Sequence, residues 1–258
     1  MSTFLDRILT STAARVASLD ARRAEIMELA EAAPAPVSFT AALSGPGLGV
    51  IAEVKRRSPS RGEIDADLDP VAQATRYAAG GADAVSVLTE PDHFNGSPAD
   101  LRAVSAAIAP PTLRKDFIVD ALQVWEARAL GASAVLLIVA ALDPGRLVAL
   151  MGDAASAGLD ALVEVHTEEE ARIARDAGAH TVGVNNRDLT TFETDLGVAE
   201  RIAPLLADVP TTIGESGIWT EHDAARMAAA GYDAVLVGEA LVRADDPAAL
   251  VSRLRSVR

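Results

Sequence analysis

A chain of 258 residues, half of them hydrophobic, can build one large core, which Ala, Val and Leu must fill because only 3% are aromatic. The absence of Cys excludes disulfides, thiolate metal ligands and cysteine nucleophiles, and it fits a reducing, cytoplasmic location. The net charge of −14 argues against a nucleic-acid-binding surface, and we identify neither a signal peptide nor an apolar run of the ~18 residues that span a membrane.

Residues 1–45 carry apolar side chains at helical spacing, which predicts an N-terminal helical extension that Pro34 and Pro36 end. We find no linker long enough to mark a boundary between this extension and the body at 48–258. We therefore expect a single domain over 1–258.

From residue 49 onward, apolar runs alternate eight times with stretches of helical periodicity. The predicted strands are 49–55, 84–89, 112–117, 134–140, 161–166, 181–185, 211–215 and 234–238. The predicted helices are 70–79, 98–109, 121–130, 144–157, 168–177, 196–206 and 221–230, most of them ended by Gly. Eight such units predict an α/β fold, a (β/α)8 TIM barrel. The alternative, a doubly wound sheet, normally has fewer strands and a glycine-rich fingerprint, which this chain lacks.

The first predicted strand is apolar but ends in charged residues. Side chains alternate along a strand, so Glu53 and Lys55 project to the same side. Buried charges are costly unless they are paired or used, so this pair is either a structural ion pair or part of a site. A basic loop that includes Ser58 follows.

Polar side chains also end four further strands, at the edge where (β/α)8 enzymes hold their active sites. The additional candidates are Lys115 near the end of strand 3, Glu164 in strand 5, Asn185 at the end of strand 6 with Arg187 just after it, and Glu215 at the end of strand 7. Any one of them is compatible with a solvated strand end. Together they predict an acid–base site at one barrel mouth.

The last two strands carry a separate signal for an anion. Ser216 and Gly217 follow strand 7, while Gly238 and Glu239 follow strand 8. Glycines let backbone N–H groups approach a phosphate, and these two loops hold phosphate in many barrels of this fold. The carboxylate of Glu239 must then point away, so that only its N–H contributes.

No metal site is expected, and none of the histidines is assigned to a site. His93, His166, His180 and His222 lie far apart without carboxylates at ligand spacing, so we interpret them as surface or packing residues. The aspartates at 65, 67 and 69 lack the downstream Glu of an EF-hand loop and are interpreted as loop residues before a helix.

These residues lie in segments that resemble the indole-3-glycerol phosphate synthase family over essentially the whole chain. The matching segments are IAEVKRRSPSRG (51–62), FNGS (94–97), LRKDF (113–117), VEV (163–165), GVNNR (183–187), ESGI (215–218) and VG (237–238). The chain departs from the family pattern at Arg61, where Lys is common, at 120–123, where a Pro-Tyr pair is missing, and at Gly214, where Ala or Ser is usual.

The resemblance implies a carboxy-lyase of tryptophan biosynthesis that needs no cofactor. Its substrate would be 1-(o-carboxyphenylamino)-1-deoxyribulose 5-phosphate, and its products indole-3-glycerol phosphate, CO2 and water. Lys115 would protonate the carbonyl oxygen during ring closure, and Lys55 would pair with the substrate carboxylate. The acid and base roles in the dehydration stay open between Lys55 and Glu164, while Glu53 would hold both lysines in position.

The resemblance also implies binding roles for the remaining candidates. Asn185 and Glu215, with Ser216 beside them, would bind the ribulose hydroxyls. Phe94 and Phe117 would pack on the anthranilate ring, or serve only as core residues. Anionic and hydroxyl groups would be held by Ser58, Arg187, Gly217, Gly238 and Glu239.

Two further expectations concern the lysines and the assembly state. Two neighbouring lysines lower each other's pKa, while nearby Glu residues oppose this effect. Because a proton donor works best with a pKa nearer neutrality, Lys115 is expected to titrate below an ordinary Lys. The acidic, Ala-rich surface leads us to expect a monomer whose partner is the small-molecule substrate.

Three rival functions remain on the same fold. A Schiff-base lyase or aldolase would use Lys115 or Lys55 as a nucleophile, and a non-catalytic phosphate-binding barrel would bind without turnover. Phosphoribosylanthranilate isomerase also binds phosphate, but it needs a Cys or an equivalent base, and this chain has no Cys.

Overall fold

The computed structural model describes residues 3–59 and 62–257, so Ser60 and Arg61 of the basic loop lie outside the described residues. Eight parallel strands pair in sequence order, and the last pairs with the first to close a barrel. They are β1 (Gly49–Val54), β2 (Ala84–Leu88), β3 (Thr112–Lys115), β4 (Ala134–Ile138), β5 (Asp160–Val165), β6 (Thr181–Asn185), β7 (Thr211–Glu215) and β8 (Ala234–Val237). The predicted (β/α)8 barrel is confirmed, and the doubly wound alternative is wrong because the sheet has no open edge.

Helices precede the barrel and follow its strands. They are α1 (Phe4–Asp20), α2 (Arg23–Ala32), α3 (Phe39–Leu43), α4 (Pro70–Ala79), α5 (Pro91–Phe94), α6 (Pro98–Ala107), α7 (Ala121–Ala129), α8 (Pro144–Ser156), α9 (Glu168–Asp176), α10 (Gly197–Ile202), α11 (Glu221–Ala230), α12 (Glu239–Val242) and α13 (Pro247–Arg255). Side chains cap several of them; Asp69 accepts from two N–H groups of α4, as a loop residue before a helix should. None of the helices in the described part of the chain is long and apolar enough to cross a membrane.

The element boundaries differ from the prediction where the backbone changes course. The predicted helix 196–206 ends at Ile202 and continues as a 3-10 turn, Ala203–Leu206, because Pro204 has no N–H for an α-helical bond. The strand predicted over 134–140 ends at Ile138, where another 3-10 turn, Val139–Ala141, begins. The short helices α5 and α12 and the last helix α13 were not predicted.

Inward-facing side chains fill the barrel in layers, alternately from odd and even strands, as the strand stagger of this fold requires. One apolar layer comes from the odd strands: Ile51, Leu113, Leu162 and Ile213. The odd strands contribute again two residues later, with Glu53, Lys115, Glu164 and Glu215, which are buried or nearly so. The charged layer therefore lies directly above an apolar layer of the barrel interior.

The N-terminal extension contacts both ends of the barrel: α3 lies at the starts of β5 and β6, where Thr40 contacts Asp160 and Thr181, whereas α1 reaches the mouth. Ile8, Phe39 and Leu43 are fully buried and join the cluster that fills the barrel interior. The guanidinium of Arg15 in α1 bonds both carboxylate oxygens of Asp116, at 3.1 and 3.3 Å. Since Asp116 directly follows Lys115, the extension is anchored beside a candidate catalytic residue.

Two departures from the family pattern have local explanations. A Cβ at Gly214 would lie 2.9 Å from Sδ of Met227, so the glycine makes room for that side chain of α11. At 120–123, Asp120 and Gln123 form a reciprocal cap at the start of α7, which provides a helix start without the Pro-Tyr pair.

Candidate active site

The structure brings all fourteen predicted site residues to one cavity at the carboxyl ends of the strands. The cavity is lined by Glu53, Lys55, Ser58, Phe94, Lys115, Phe117, Glu164, Asn185, Arg187, Glu215, Ser216, Gly217, Gly238 and Glu239, among others. Their convergence follows from the closed barrel, which gathers the ends of separate strands around one mouth. The role of each residue there depends on its contacts and its charge.

Lys115 lies at the centre of the charged layer. Its Nζ donates to Oε2 of Glu164 and to Oε2 of Glu215, each at 2.6 Å. Only 13% of the Lys115 side chain is exposed, and the two carboxylates are almost fully buried. An ammonium between two carboxylates, open to solvent on one side, is well placed to give a proton to a bound molecule.

Lys55 forms a separate ion pair at the end of β1. Its Nζ lies 2.5 Å from Oε1 of Glu53. A Cβ at Gly238 would lie 2.5 Å from that same Oε1 and 2.9 Å from the Lys55 Nζ, so glycine is required there. Glu53 was expected to hold both lysines; among the described residues its carboxylate bonds the ammonium of Lys55, and the carboxylates that bond Lys115 are those of Glu164 and Glu215.

The expected low pKa of Lys115 is wrong. Burial by itself would lower the pKa of its ammonium, but the negative charges of Glu164, Glu215 and Glu53 outweigh burial and raise that pKa above its usual value. The prediction counted the neighbouring Lys55 as the dominant charge, whereas the tertiary structure surrounds Lys115 with carboxylates. Lys115 is therefore a fully charged ammonium at neutral pH.

The two carboxylates that share Lys115 differ from each other. Burial raises the pKa of both, but Lys115 and His166 together lower that of Glu164 below its usual range. For Glu215, burial and the negative charge of Glu164 outweigh Lys115 and raise the pKa to about 7. Glu164 is therefore ionised at neutral pH, whereas the surroundings of Glu215 favour its protonated form more than those of an ordinary Glu.

His166 is a site neighbour that the sequence interpretation assigned to the surface or to packing, because Glu164 has the same parity and lies deeper in the strand. Its ring is buried, with Nε2 3.4 Å from Oε1 of Glu164 and Nδ1 3.2 Å from Oε2 of Glu170. The available signal was position: His166 lies two residues after Glu164, on the same side of the strand. The sequence could not reveal that α9 brings a second carboxylate to the other ring nitrogen.

The loops after β7 and β8 form the side of the cavity where phosphate was predicted. Ser216 and Gly217 have φ values of 64° and 79°, and a Cβ at Gly217 would lie 2.6 Å from Cγ2 of Thr194. The side chain of Glu239 accepts a hydrogen bond from Nε of Arg243 at 3.0 Å, one turn along α12. Its carboxylate is thus engaged by Arg243, the residue directly after α12.

Aromatic side chains form another wall of the cavity. The rings of Phe94 and Phe117 lie 6.3 Å apart between centroids, tilted by 39°. Phe4 of α1 and Phe192 of the loop after β6 also line the cavity and meet edge to face at 5.2 Å, and Trp219 lines it as well. These last three were not among the predicted site residues; Phe4 in α1 and Phe192 in the loop after β6 reach the mouth only through the tertiary fold.

The end of β6 is fixed by its own hydrogen bonds. Oδ1 of Asn185 accepts from the backbone N–H of Arg187 at 3.1 Å, and Nη1 of Arg187 donates to the carbonyl of Phe192 at 3.0 Å. These bonds hold the loop after β6 against the mouth. The side chains of Asn185 and Arg187 therefore reach the cavity from a supported loop.

Comparisons with known proteins agree on one family. The family model described as indole-3-glycerol phosphate synthase matches residues 5–254. A protein of that name from Mycolicibacterium gilvum (strain PYR-GCK) is 52% identical over 255 residues, which are 98% of this chain and 94% of the relative. One from Streptomyces griseus is 51% identical over 252 residues, 97% of this chain and 94% of the relative.

Solved structures support the fold alone. A thiamine phosphate pyrophosphorylase from Pyrococcus furiosus superposes with a TM-score of 0.59 at 18% identity, covering 81% of this chain and 94% of the other. A structure described as native KDPGal superposes with a TM-score of 0.57 at 17% identity, with the same coverage of both chains.

Proposed function

The chain belongs to the indole-3-glycerol phosphate synthase family, and we propose how its barrel mouth carries out the reaction of that family. The reaction converts 1-(o-carboxyphenylamino)-1-deoxyribulose 5-phosphate to indole-3-glycerol phosphate, CO2 and water in tryptophan biosynthesis. The observation that carries the proposal is Lys115 Nζ, which lies 2.6 Å from a carboxylate oxygen of Glu164 and of Glu215 at the floor of the cavity.

The substrate is positioned by groups of matching chemistry. Lys55, held by Glu53, pairs with the substrate carboxylate, and Phe94 and Phe117 contact the anthranilate ring. The phosphate lies against the loops after β7 and β8, where it meets the backbone at Gly217, Gly238 and Glu239. The hydroxyl groups and the remaining anionic groups of the substrate are bound by a separate set of cavity residues: Asn185, Glu215, Ser216, Ser58 and Arg187.

Ring closure needs a proton at the ketone oxygen. As the aromatic carbon bonds to C2′, the carbonyl electron pair moves to oxygen, and Lys115 gives that oxygen a proton. The carboxylate then leaves as CO2, and the electrons of the broken bond restore the aromatic ring. Lys115 carries its proton at neutral pH, and the carboxylates around it, which raise its pKa, hold that proton until the ketone oxygen gains negative charge in the transition state.

Dehydration needs an acid and a base at once. The C2′ hydroxyl leaves as water with a proton from Lys55, and Glu164 accepts the proton that the five-membered ring loses as it becomes aromatic. This division follows from charge: Glu164 is ionised beside Lys115 and His166, so it is a proton acceptor. Lys55 is a cation whose ion-pair partner is Glu53.

The proposal also covers the domain organisation, location and assembly state of the protein. We infer that residues 1–258 work as one domain, because α1 to α3 bury apolar side chains against the barrel. We also infer a cytoplasmic monomer that binds neither nucleic acid nor membrane and requires no cofactor. The net charge of −14 and the lack of Cys support this setting.

The test is growth of indole fluorescence when the substrate is added to purified protein. Lys55 and Lys115 are the only lysines of the chain, so each replacement is informative. We expect Lys115→Ala to lose ~10²- to 10⁴-fold in kcat, as general acids do. Lys115→Arg is expected to be nearly as slow, since Arg keeps the charge but does not release its proton.

The outcomes separate the rival functions. If folded wild-type protein forms no product, the proposed synthase function is contradicted. A borohydride-stable adduct on either Lys would then identify a Schiff-base enzyme. Equal turnover by wild type and Lys115→Ala keeps the function but contradicts the role of Lys115. Substitution of His180, an exposed residue, by Gln is the control and should retain wild-type turnover.

A further inference from the structure

The ring of His166 lies between two carboxylates from different elements. Glu164, on β5, faces Nε2 at 3.4 Å, an ion-pair contact that does not meet hydrogen-bond geometry. Glu170, on α9, faces Nδ1 at 3.2 Å, and the same oxygen accepts the backbone N–H of His166 at 2.8 Å. The ring is thereby fixed on one side by α9 and presented to Glu164 on the other.

This arrangement suits only the doubly protonated ring. A neutral imidazole has one N–H and one lone pair, so one of its nitrogens would face a carboxylate oxygen without a proton between them. Burial by itself lowers the pKa of the ring, but Glu164 and Glu170 outweigh burial and raise the pKa to about 9. His166 is therefore a buried cation at neutral pH.

The charges around His166 make Glu164 different from Glu215. Glu164 has a cation at each oxygen, Lys115 at Oε2 and His166 at Oε1, and Asp188 is a further negative charge that interacts with the ring. Glu215 has Lys115 at Oε2, but its buried Oε1 has no hydrogen-bond partner among the described residues. Two carboxylates that share one lysine are thus made unequal by the histidine.

We propose that His166 is a positioning residue for this reaction: anchored by Glu170, its imidazolium orients Glu164 and keeps it ionised, which makes Glu164 rather than Glu215 the proton acceptor. The inference rests on the proposed function, because it takes Glu164 as the base of the dehydration. His166 itself touches Glu164 and does not line the cavity. Its effect is transmitted through that carboxylate.

The kinetic test compares His166→Gln and His166→Asn with His180→Gln, a control at an exposed position on the amino-terminal side of β6. Loss of the cation should move the acidic limb of the kcat profile up by about one pH unit, as a change of one unit in the pKa of Glu164 requires. On that limb, at pH values below the pKa of Glu164 in both proteins, we expect a loss in kcat of about tenfold, with little change at neutral pH. KM should stay within about twofold, because the missing interaction serves the chemical step.

A second variant tests the anchor without removing the ring. Glu170→Gln keeps an acceptor for the His166 N–H but removes the charge beside Nδ1. We expect the acidic limb to move in the same direction by a smaller amount. This variant also decides the question if the His166 variants do not fold.

Nitrogen NMR of protein labelled with ¹⁵N-histidine gives a readout that needs no turnover. The four His signals are assigned by the His166→Gln spectrum. At pH 7 we expect both ring nitrogens of His166 to be protonated in wild type, and its titration to move to lower pH in Glu164→Gln and Glu170→Gln. A neutral His166 ring at pH 7, or an unchanged acidic limb in its variants, overturns the inference. Absence of product from wild type would instead contradict the proposed function, while the NMR result still decides the state of the ring.

Discussion

Lys115 and Glu215 are 100 residues apart in the chain, yet Nζ and Oε2 lie 2.6 Å apart. They belong to β3 and β7, on opposite sides of the barrel, and they meet because odd strands contribute to the same interior layer. Glu164 of β5 completes the contact with Lys115, and Glu53 of β1 lies in the same layer. The acid–base centre is thus a layer of barrel packing in which charged groups replace the usual aliphatic ones.

Replacing Glu215 by Gln should stabilise the protein at alkaline pH. Since the pKa of Glu215 rises from its ordinary ~4.3 to about 7, the folded state favours its protonated form. Wild type therefore loses stability as the pH rises from ~4.3 through about 7, and the variant lacks this loss. Urea unfolding from pH 5 to 8 measures it.

The control for this prediction is Glu193→Gln, which removes an exposed carboxylate from the loop after β6. Its unfolding profile should follow wild type. We expect Glu215→Gln to gain stability of order 1–3 kcal/mol at pH 8 and to lose activity, since Glu215 contacts substrate hydroxyls in the proposed complex. A steeper loss of stability with pH in the variant than in wild type would contradict the raised pKa.

His166 should produce a separate loss of stability at higher pH. Its pKa is raised to about 9, so its contribution is complete below the unfolded value of ~6.5 and is lost as the pH rises through about 9. Wild type should therefore weaken over this window relative to His166→Gln, whose side chain does not titrate. Parallel unfolding profiles of the two proteins from pH 6.5 to 9 would show that the ring is not a cation in the folded state.

Gly183 should tolerate no side chain. A Cβ there would lie 2.0 Å from Oε1 of Glu215 and 3.1 Å from Cδ1 of Leu162. Gly183→Ala should displace Glu215 from Lys115, lowering kcat by at least tenfold and stability by ~1–3 kcal/mol for overpacking. Steady-state kinetics and urea unfolding provide the two measurements.

Gly152 is the matched control for that substitution. It lies in α8, and a Cβ there would have nothing within 4 Å. Gly152→Ala should raise stability by ~0.5–1 kcal/mol, since Ala is favoured over Gly in a helix, and should leave kcat unchanged. If both substitutions behave alike, the close approach at Gly183 is not what supports Glu215.

Arg15 should matter more than its position in a surface helix suggests. Its partner Asp116 has a fully buried side chain next to Lys115, and Arg114 supplies the other cation. Arg15→Ala leaves that carboxylate with one cation fewer, which should cost ~2–3 kcal/mol and lower kcat by loosening the end of β3. Unfolding and turnover at neutral pH measure both effects.

The control for Arg15→Ala is Arg23→Ala, which removes an exposed ion pair. Arg23 pairs with Asp20, but the two side chains are 59% and 63% exposed. Exposed pairs contribute little, so this substitution should change stability by no more than ~0.5 kcal/mol and leave turnover unchanged. Equal costs at Arg15 and Arg23 would mean that the anchor of α1 at Asp116 is not a buried interaction.

Much of the fold was predictable because its signals are local. Val-rich runs, helix-capping Asp and Thr, and terminal glycines act over a few residues, so the eight units were recognised in order. The boundaries were wrong where Pro204 or the turn after Ile138 interrupted a regular element. The contribution of α1 to the mouth, through Phe4 and Arg15, depends on packing that no local pattern encodes.

The sequence by itself determined the (β/α)8 architecture and which strand-end residues meet at one mouth, because alternation along a strand and strand order in a closed barrel are properties of the chain. Only the tertiary structure decided which carboxylates hold Lys115, why its pKa rises rather than falls, and that His166 is a cation beside Glu164. A pKa is set by the sum of burial and of every charge within a few ångströms. Those charges come from strands up to 100 residues away, so they become neighbours only when the barrel closes.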